Sequence, residues 1–280
     1  MRYCYIVAVL FIFSILVNSC NGGINVVIGN KVNDNIKQIS PEKWQQLAKK
    51  KIFWGHQSVG SNILKGMQEL LTEHPEIPLK IAAVKDPYVL GTGVLSHDNV
   101  GMNGDPSSKI KDFVRMMDNG IGVQADYAFF KFCFIDFNGN SNVKKLFKEY
   151  KIAMRKIKEK YPQVKIMHAT IPLVKVQSGP KAWLKKIIGR TLDGTIDNVK
   201  RHAFNEMIKA EYGGKDPIFD IAKYESTRPD GSREIHKLNG KEYFSLVPAY
   251  TSDGGHLNDL GSRFLAAKLF VLLAGSINVK

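Results

Sequence analysis

The sequence predicts a single α/β domain, a three-layer α/β/α sandwich around a mostly parallel sheet. Three observations carry this. Short apolar runs alternate with segments of helical periodicity along most of the 280 residues, the pattern of strand-to-helix crossovers that cover both faces of a parallel sheet. One run, "ADYAFFKFCFIDF", is long and aromatic enough for a strand buried on both faces. The chain is 44% hydrophobic, an ordinary globular value, and residues 45–280 are enough for one large core, so a second domain is not required.

The elements follow in order. "KIFWGH" reads as the first strand, and "SVGSNILKGMQELL" then places Val59, Ile63, Met67, Leu70 and Leu71 on one helical face. "LKIAAV" is a second strand, followed by a Gly-rich loop that includes "GTGVLSHDNVG". "PSSKIKDFVRMMDNG" is a helix with Pro106 in its first turn and Gly120 at its end. After the aromatic central strand come a lysine-rich helix from about Asn142 to Lys160, the strand "VKIMHATIPL" and an insertion from Val174 to Thr195. The helix "NVKRHAFNEMIKAEY", the short strand "PIFDIA" and the terminal helix "GSRFLAAKLFVLLAG" complete the alternation. In such sheets the reactive loops collect at the carboxyl ends of the strands, and Ser58 stands just past the end of the first.

The beginning of the chain sets the compartment. "MRYCYIVAVLFIFSILVNSC" has a basic Arg2, an apolar run from Tyr5 to Val17 that is short for a membrane span, and a small residue before Cys20. This is the plan of a bacterial secretion signal, and "LVNSC" resembles a lipobox, in which Cys20 becomes the lipidated first residue. The expected division is a signal over 1–20, a tether over 21–44 and one domain over 45–280, with the protein lipid-anchored in the bacterial cell envelope, at its periplasmic face or surface. Of three cysteines, this leaves only Cys133 in the folded part, where the apolar setting reads as a buried small side chain.

A net charge of +14 invites a nucleic-acid reading, but an envelope protein seldom meets that partner and the lysines are dispersed. "VKKLFKEYKIAMRKIKEK" has the spacing of a solvated helix face, whereas "KAWLKKIIGR", with Lys181, Lys185 and Lys186, suits an anionic glycan or membrane headgroups. No nucleic-acid partner is expected, and the oligomeric state is not legible.

The chemistry lies at two places. In "FWGHQSVGSNILKGM", Ser58 sits at a strand-to-helix junction, where a serine is commonly a helix cap. Far along the chain, "YTSDGGHLNDLGSRF" puts Asp253 three residues before His256, a spacing that lets a carboxylate fix an imidazole tautomer and leave the other ring nitrogen as a general base. A serine needs such a base to become a nucleophile, and the helix after Ser58 adds a positive dipole end for a developing oxyanion. The histidines lack metal-ligand spacing and no Cys pair suggests zinc, so no metal and no cofactor is expected. The Gly-rich loop lacks the context of a phosphate cradle.

Together these pieces resemble the SGNH hydrolase superfamily, the GDSL-type esterases and lipases. "GHQS" takes the place of the family's Gly-Asp-Ser block, with His56 and Gln57 as departures. "GMNGDPS", with Asn103 and Gly104, resembles the second block, and "DGGHLNDLG" matches the last from Asp253 to Gly261. The resemblance implies a flavodoxin-like sheet and a serine ester hydrolase with Ser58 as nucleophile, His256 as base and Asp253 as its orienting carboxylate. It further implies Gly104 N–H as an oxyanion donor, and acyl groups on a carbohydrate as one substrate class. The third block, Gly-x-Asn-Asp in the family, reads "KFCFIDFNGNSN" here, so Asp136 matches while Ile135 stands in the Asn position. Lys131, Asn138 and Asn140 are candidate replacements for that donor.

Two alternatives stay open: a hydrolase-like fold that binds glycan or envelope without turnover, and a transferase that uses the same triad to pass the acyl group to a sugar. His56 reads either as pocket lining or as packing beside Trp54, and His168 as a substrate contact on the reactive rim. Asp220 and Asn205 read as holding loops and helix ends, and the insertion with Trp183 as a cover for the site.

Overall fold

The computed structural model describes Val32 and residues 36–276. The signal segment, Cys20 and the start of the tether lie outside the described residues. At the centre is a five-stranded, all-parallel sheet in the order β2-β3-β1-β4-β5, built from β1 (Lys51–His56), β2 (Lys80–Ala83), β3 (Val94–Asn99), β4 (Tyr127–Phe130) and β5 (Lys165–Ile166). Met167 donates its N–H to the Ala128 carbonyl at 3.0 Å, and the chain runs straight on into β6 (His168–Ala169), which pairs in parallel with β7 (Ile218–Phe219).

Each face of the sheet carries its own core. On one, α1 (Pro41–Leu47), α2 (Val59–Glu73) and α8 (Asp259–Gly275) cover Trp54, Phe129 and Phe219. On the other, α3 (Pro106–Met116), α4 (Val143–Lys160) and α6 (Thr195–Tyr212) cover Phe53, Phe130 and Phe132. The two faces follow from the alternation of side chains along β1: Trp54 stacks on Phe129 at 5.3 Å, while Phe53 stacks on Phe113 at 6.5 Å. The three-layer expectation holds.

α2 and α8 lie unusually close. A Cβ on Gly66 would stand 2.5 Å from the Ser262 carbonyl oxygen, so only glycine lets the two backbones meet there. Lys65 also pairs with Asp259 at 2.6 Å, and the two helix N-termini, with Ser58 and His256 just before them, share one end of the sheet.

Several elements differ from the sequence expectation. The Gly-rich loop contains β3, whose "VLSHDN" is too polar to show as a buried run. The aromatic central strand ends at Phe130, because the Asp136 carboxylate takes the Cys133 N–H at 2.6 Å and winds Phe134–Asp136 into a 3-10 turn. The Val174–Thr195 insertion contains α5 (Pro180–Ile187), and "PIFDIA" gives β7 followed by the short α7 (Ile221–Glu225). An unexpected hairpin joins β8 (Ile235–Leu238) to β9 (Lys241–Phe244) through Asn239 and Gly240, both with positive φ, the type I′ preference of Asn-Gly. The domain also begins before residue 45: Val32, Ile36, Ile39 and Trp44 are buried in the first core, Trp44 edge-on to Phe270 at 5.9 Å.

Candidate active site

Ser58 lies two residues past the end of β1, at the N-cap position of α2, with φ +55°, a value that a non-glycine residue seldom adopts. Its side chain makes no capping hydrogen bond. Among the described residues neither its hydroxyl nor its N–H has a hydrogen-bond partner. The turn therefore presents both groups at the carboxyl end of the central strand instead of spending them on the helix.

His256 Nδ1 lies 2.6 Å from Asp253 Oδ2. The other carboxylate oxygen accepts the N–H groups of Gly255 at 2.9 Å and His256 at 2.8 Å, and Thr251 Oγ1 at 3.3 Å. Burial works to raise the Asp253 pKa, but the Gly255 N–H, the His256 ring and the His256 N–H together outweigh it and hold the carboxyl well below its ordinary range. An ionised Asp253 thus orients His256 through Nδ1 and leaves Nε2 turned outward. The Phe134 ring packs edge-on against the imidazole at 5.2 Å. A Cβ on Gly255 would stand 2.7 Å from that ring, which is why the residue beside His256 has no side chain.

Three loops converge here through contacts between distant residues. Gln57, next to Ser58, donates its amide to the Val100 and Gly101 carbonyls at 2.9 and 2.6 Å. Gly104 N–H reaches Asp136 Oδ1 at 2.8 Å, and the Cys133 thiol points at the Gln57 carbonyl at 3.5 Å. Phe134 completes the ring by touching His256. Gln57, read from the sequence only as a departure, is the residue that ties the Ser58 turn to the "GMNGD" loop.

The expected oxyanion and substrate residues fare differently. Gly104 is corrected: its N–H is already used by Asp136. Asp136 is also corrected, being 3% exposed and engaged as an internal acceptor for Gly104, Cys133 and Lys109. Lys131 neither reaches the surface nor faces a ligand; it is fully buried, donates to the Phe132 carbonyl and Cys133 Sγ at 3.1 and 3.3 Å, and burial pushes its pKa down. Asn138 is exposed and accepts the Asn140 N–H through Oδ1 at 2.9 Å, and its NH2 group has no partner among the described residues. Asn103 remains: Lys109 Nζ holds its Oδ1 at 2.9 Å, and its side chain is exposed with the NH2 group unpartnered among the described residues. Asn103, expected from the sequence among the oxyanion- or substrate-binding residues, is thus an exposed amide held in place by a buried lysine.

His56 is buried beside Trp54 and hydrogen-bonds His97 through Nε2 at 3.1 Å. Burial, then the neighbouring His97 and Lys131, lowers its pKa to about 3, so the ring is neutral. His168 is a packing residue and not a rim contact: it is fully buried, stacks on Tyr212 at 3.6 Å and bonds Tyr150 Oη at 2.7 Å. Asp220 caps α7 and Asn205 ties the Ile171 backbone, as their positions suggested. Cys133 is buried. Among the described residues no cluster of three or more His, Cys, Asp or Glu side chains is placed to hold a metal.

A cavity of about 500 Å³ opens beside the pair, lined by Phe134, Val174, Lys175, Gln177, Asp197 and Asp253 among others. The insertion forms its far wall, with Lys175 N–H bonded to the Gly254 carbonyl at 2.8 Å.

No protein-family model and no curated protein matches the chain. Three solved structures are similar at a distance. One, described as a platelet activating factor from Streptococcus pneumonia, is 14% identical, with a TM-score of 0.44 over 94% of this chain and 99% of its own. The periplasmic domain of a lipopolysaccharide acetyltransferase from Salmonella ser. Paratyphi A is 14% identical, with a TM-score of 0.39 over 78% and 80%. A carbohydrate esterase family 3 protein from Talaromyces cellulolyticus is 15% identical, with a TM-score of 0.44 over 81% and 98%. Likeness of this degree transfers no residue role and no substrate to this chain.

Proposed function

We propose that the protein is a serine ester hydrolase of the SGNH type. The observation that carries this reading is the Asp253–His256 pair at 2.6 Å, set on the same sheet end as a serine whose positive-φ turn leaves its hydroxyl uncapped. Ser58 Oγ attacks the acyl carbonyl and passes its proton to His256 Nε2. The tetrahedral oxyanion is met by the Ser58 N–H and the Asn103 amide. Collapse expels the alcohol, which takes the proton back from His256, and water then attacks the acyl-enzyme by the same route. Asp253 stays ionised throughout and stabilises the imidazolium. No hydrogen bond joins Ser58 Oγ to His256 among the described residues, and the reading requires one to form when substrate is bound.

The cavity beside Asp253 mixes apolar walls with carboxylate, amine and amide groups, which suits a polyhydroxylated alcohol carrying a short acyl group, such as an acetylated carbohydrate. We also propose that the chain is held at the bacterial envelope by a lipid on Cys20; mass spectrometry of the N-terminal peptide and release by Cys20→Ser test that. For the reaction, purified protein is assayed with a chromogenic acetate ester and a fluorophosphonate label. The Ser58→Ala variant is expected to lose both signals, and full activity in that variant rejects the assignment.

A further inference from the structure

We propose that α5 is a docking element for an anionic lipid surface. It carries the largest exposed apolar side chains of the insertion, Trp183 at 66% exposed, Leu184 at 56% and Ile187 at 61%, and Ile188, just past its end, is 56% exposed. The spacing places Trp183, Leu184 and Ile187 on one side of the helix, and Ile188 adjoins them in sequence at its end. The buried Ala182 holds the opposite side against the domain. Scattered apolar residues on a surface need no explanation, whereas a contiguous set of four marks a binding face.

The charges around that face choose the occupant. From Pro180 to Arg190 the chain has three lysines and one arginine and no acidic residue. Lys181 and Arg190 are exposed and form no ion pair among the described residues, while Lys185 is paired with Asp193 at 2.8 Å. An apolar face rimmed by unpaired cations is the design of a helix that lies in a membrane interface: the ring and aliphatic chains enter the headgroup boundary and the cations meet acidic headgroups. A second copy of the chain would bring the same positive rim against itself, which disfavours self-association through this face. α5 is far too short to span a bilayer, and no described helix is long and apolar enough to do so.

The consequence for the site is direct. The segment that carries α5 also supplies Lys175, Gln177 and Asp193 to the cavity beside Asp253. Docking through α5 would bring the segment that walls the cavity close to the lipid surface and to substrates held there. This last step rests on the esterase reading; the docking itself does not.

Tryptophan fluorescence tests it, because Trp44 and Trp54 are buried and only Trp183 meets solvent. Full-length protein is mixed with phosphatidylcholine vesicles, with and without phosphatidylglycerol, and with brominated-chain lipid as a quencher. We expect a blue shift and quenching on the anionic vesicles, both absent in Trp183→Phe. Lys181→Gln with Arg190→Gln should weaken the response roughly tenfold or more. Leu184→Gln with Ile187→Gln should abolish it at an unchanged thermal midpoint. A lipid on Cys20 alone would not bury Trp183. Unchanged emission on anionic vesicles overturns the proposal, as does a shift that follows protein concentration without vesicles. Ester hydrolysis enters none of these readouts, so loss of activity and loss of docking are told apart.

Discussion

Lys109 Nζ lies 2.7 Å from Asp136 Oδ2 with neither side chain exposed to solvent, joining the start of α3 to the turn after β4. The same lysine holds Asn103 at 2.9 Å, and the same aspartate accepts the N–H groups of Gly104 and Cys133. Two loops that frame Ser58 are thus fixed by one desolvated ion pair, whose attraction survives burial because every oxygen of the carboxylate has a donor.

Removing one partner strands the other. Lys109→Met is expected to cost about 3–5 kcal/mol in urea unfolding, the usual penalty for an unpaired buried charge. It should also lower kcat on a chromogenic acetate, since Asn103 loses its anchor. A variant as stable as the parent would show that Asp136 is neutralised by its backbone donors alone.

Asp253→Asn separates orientation from architecture. An asparagine keeps the oxygen that accepts the Gly255 and His256 N–H groups, so the loop should hold and the thermal midpoint stay within a degree or two. It cannot, however, stabilise an imidazolium or fix the tautomer, and kcat is expected to fall on the order of 10³–10⁴-fold. Activity near that of the parent would detach Asp253 from the chemistry.

How much of this was legible depends on range along the chain. The junction at Ser58 and the pairing of Asp253 with His256 could be read because each signal is local: a strand-to-helix boundary in one case, a three-residue spacing in the other. Asn239–Gly240 was equally local, and the β8–β9 hairpin it forms was there to be read. The role of Lys109 was not, because a lysine reads as solvated until its buried partner is known, and that partner is 27 residues away; Lys131 stood out in its apolar run, but as a candidate oxyanion donor and not as the internal donor it is. Gln57 gains its role from the parallel pairing that sets His56 beside Asn99, a register that no local pattern specifies. β3 was hidden by its polar "SHDN", which becomes sheet only because β1 and β2 flank it.

The His56–His97 pair predicts an acid-sensitive fold. Burial, with His97 and Lys131 nearby, holds the His56 pKa at about 3, against about 6.5 in the unfolded chain. As pH falls, the unfolded state takes up the proton first, so this contribution is complete above about 6.5 and is lost progressively toward 3. Over that window it amounts to roughly 4 kcal/mol. His56→Gln, which does not titrate, should flatten the pH dependence of unfolding and leave a smaller slope from His97, whose pKa burial also lowers. Equal slopes for parent and variant would place the titration elsewhere.

Gly66 sets how closely α2 and α8 approach, the two helices that follow Ser58 and His256. In an ordinary exposed helix Gly→Ala gains about 1 kcal/mol, but here the added methyl would stand 2.5 Å from the Ser262 backbone oxygen. The clash is with backbone, so relief requires one of the two helices to shift as a whole. Gly66→Ala should therefore destabilise by about 1–3 kcal/mol through overpacking and displace Ser58 from His256. Hydrolysis should fall more than stability does, with kcat reduced in protein that is still fully folded at the assay temperature. Fluorophosphonate labelling of that variant separates the causes: slowed labelling of folded protein locates the defect in how Ser58 is set against His256, whereas parental labelling with parental kcat would mean that the α2–α8 spacing does not govern the site.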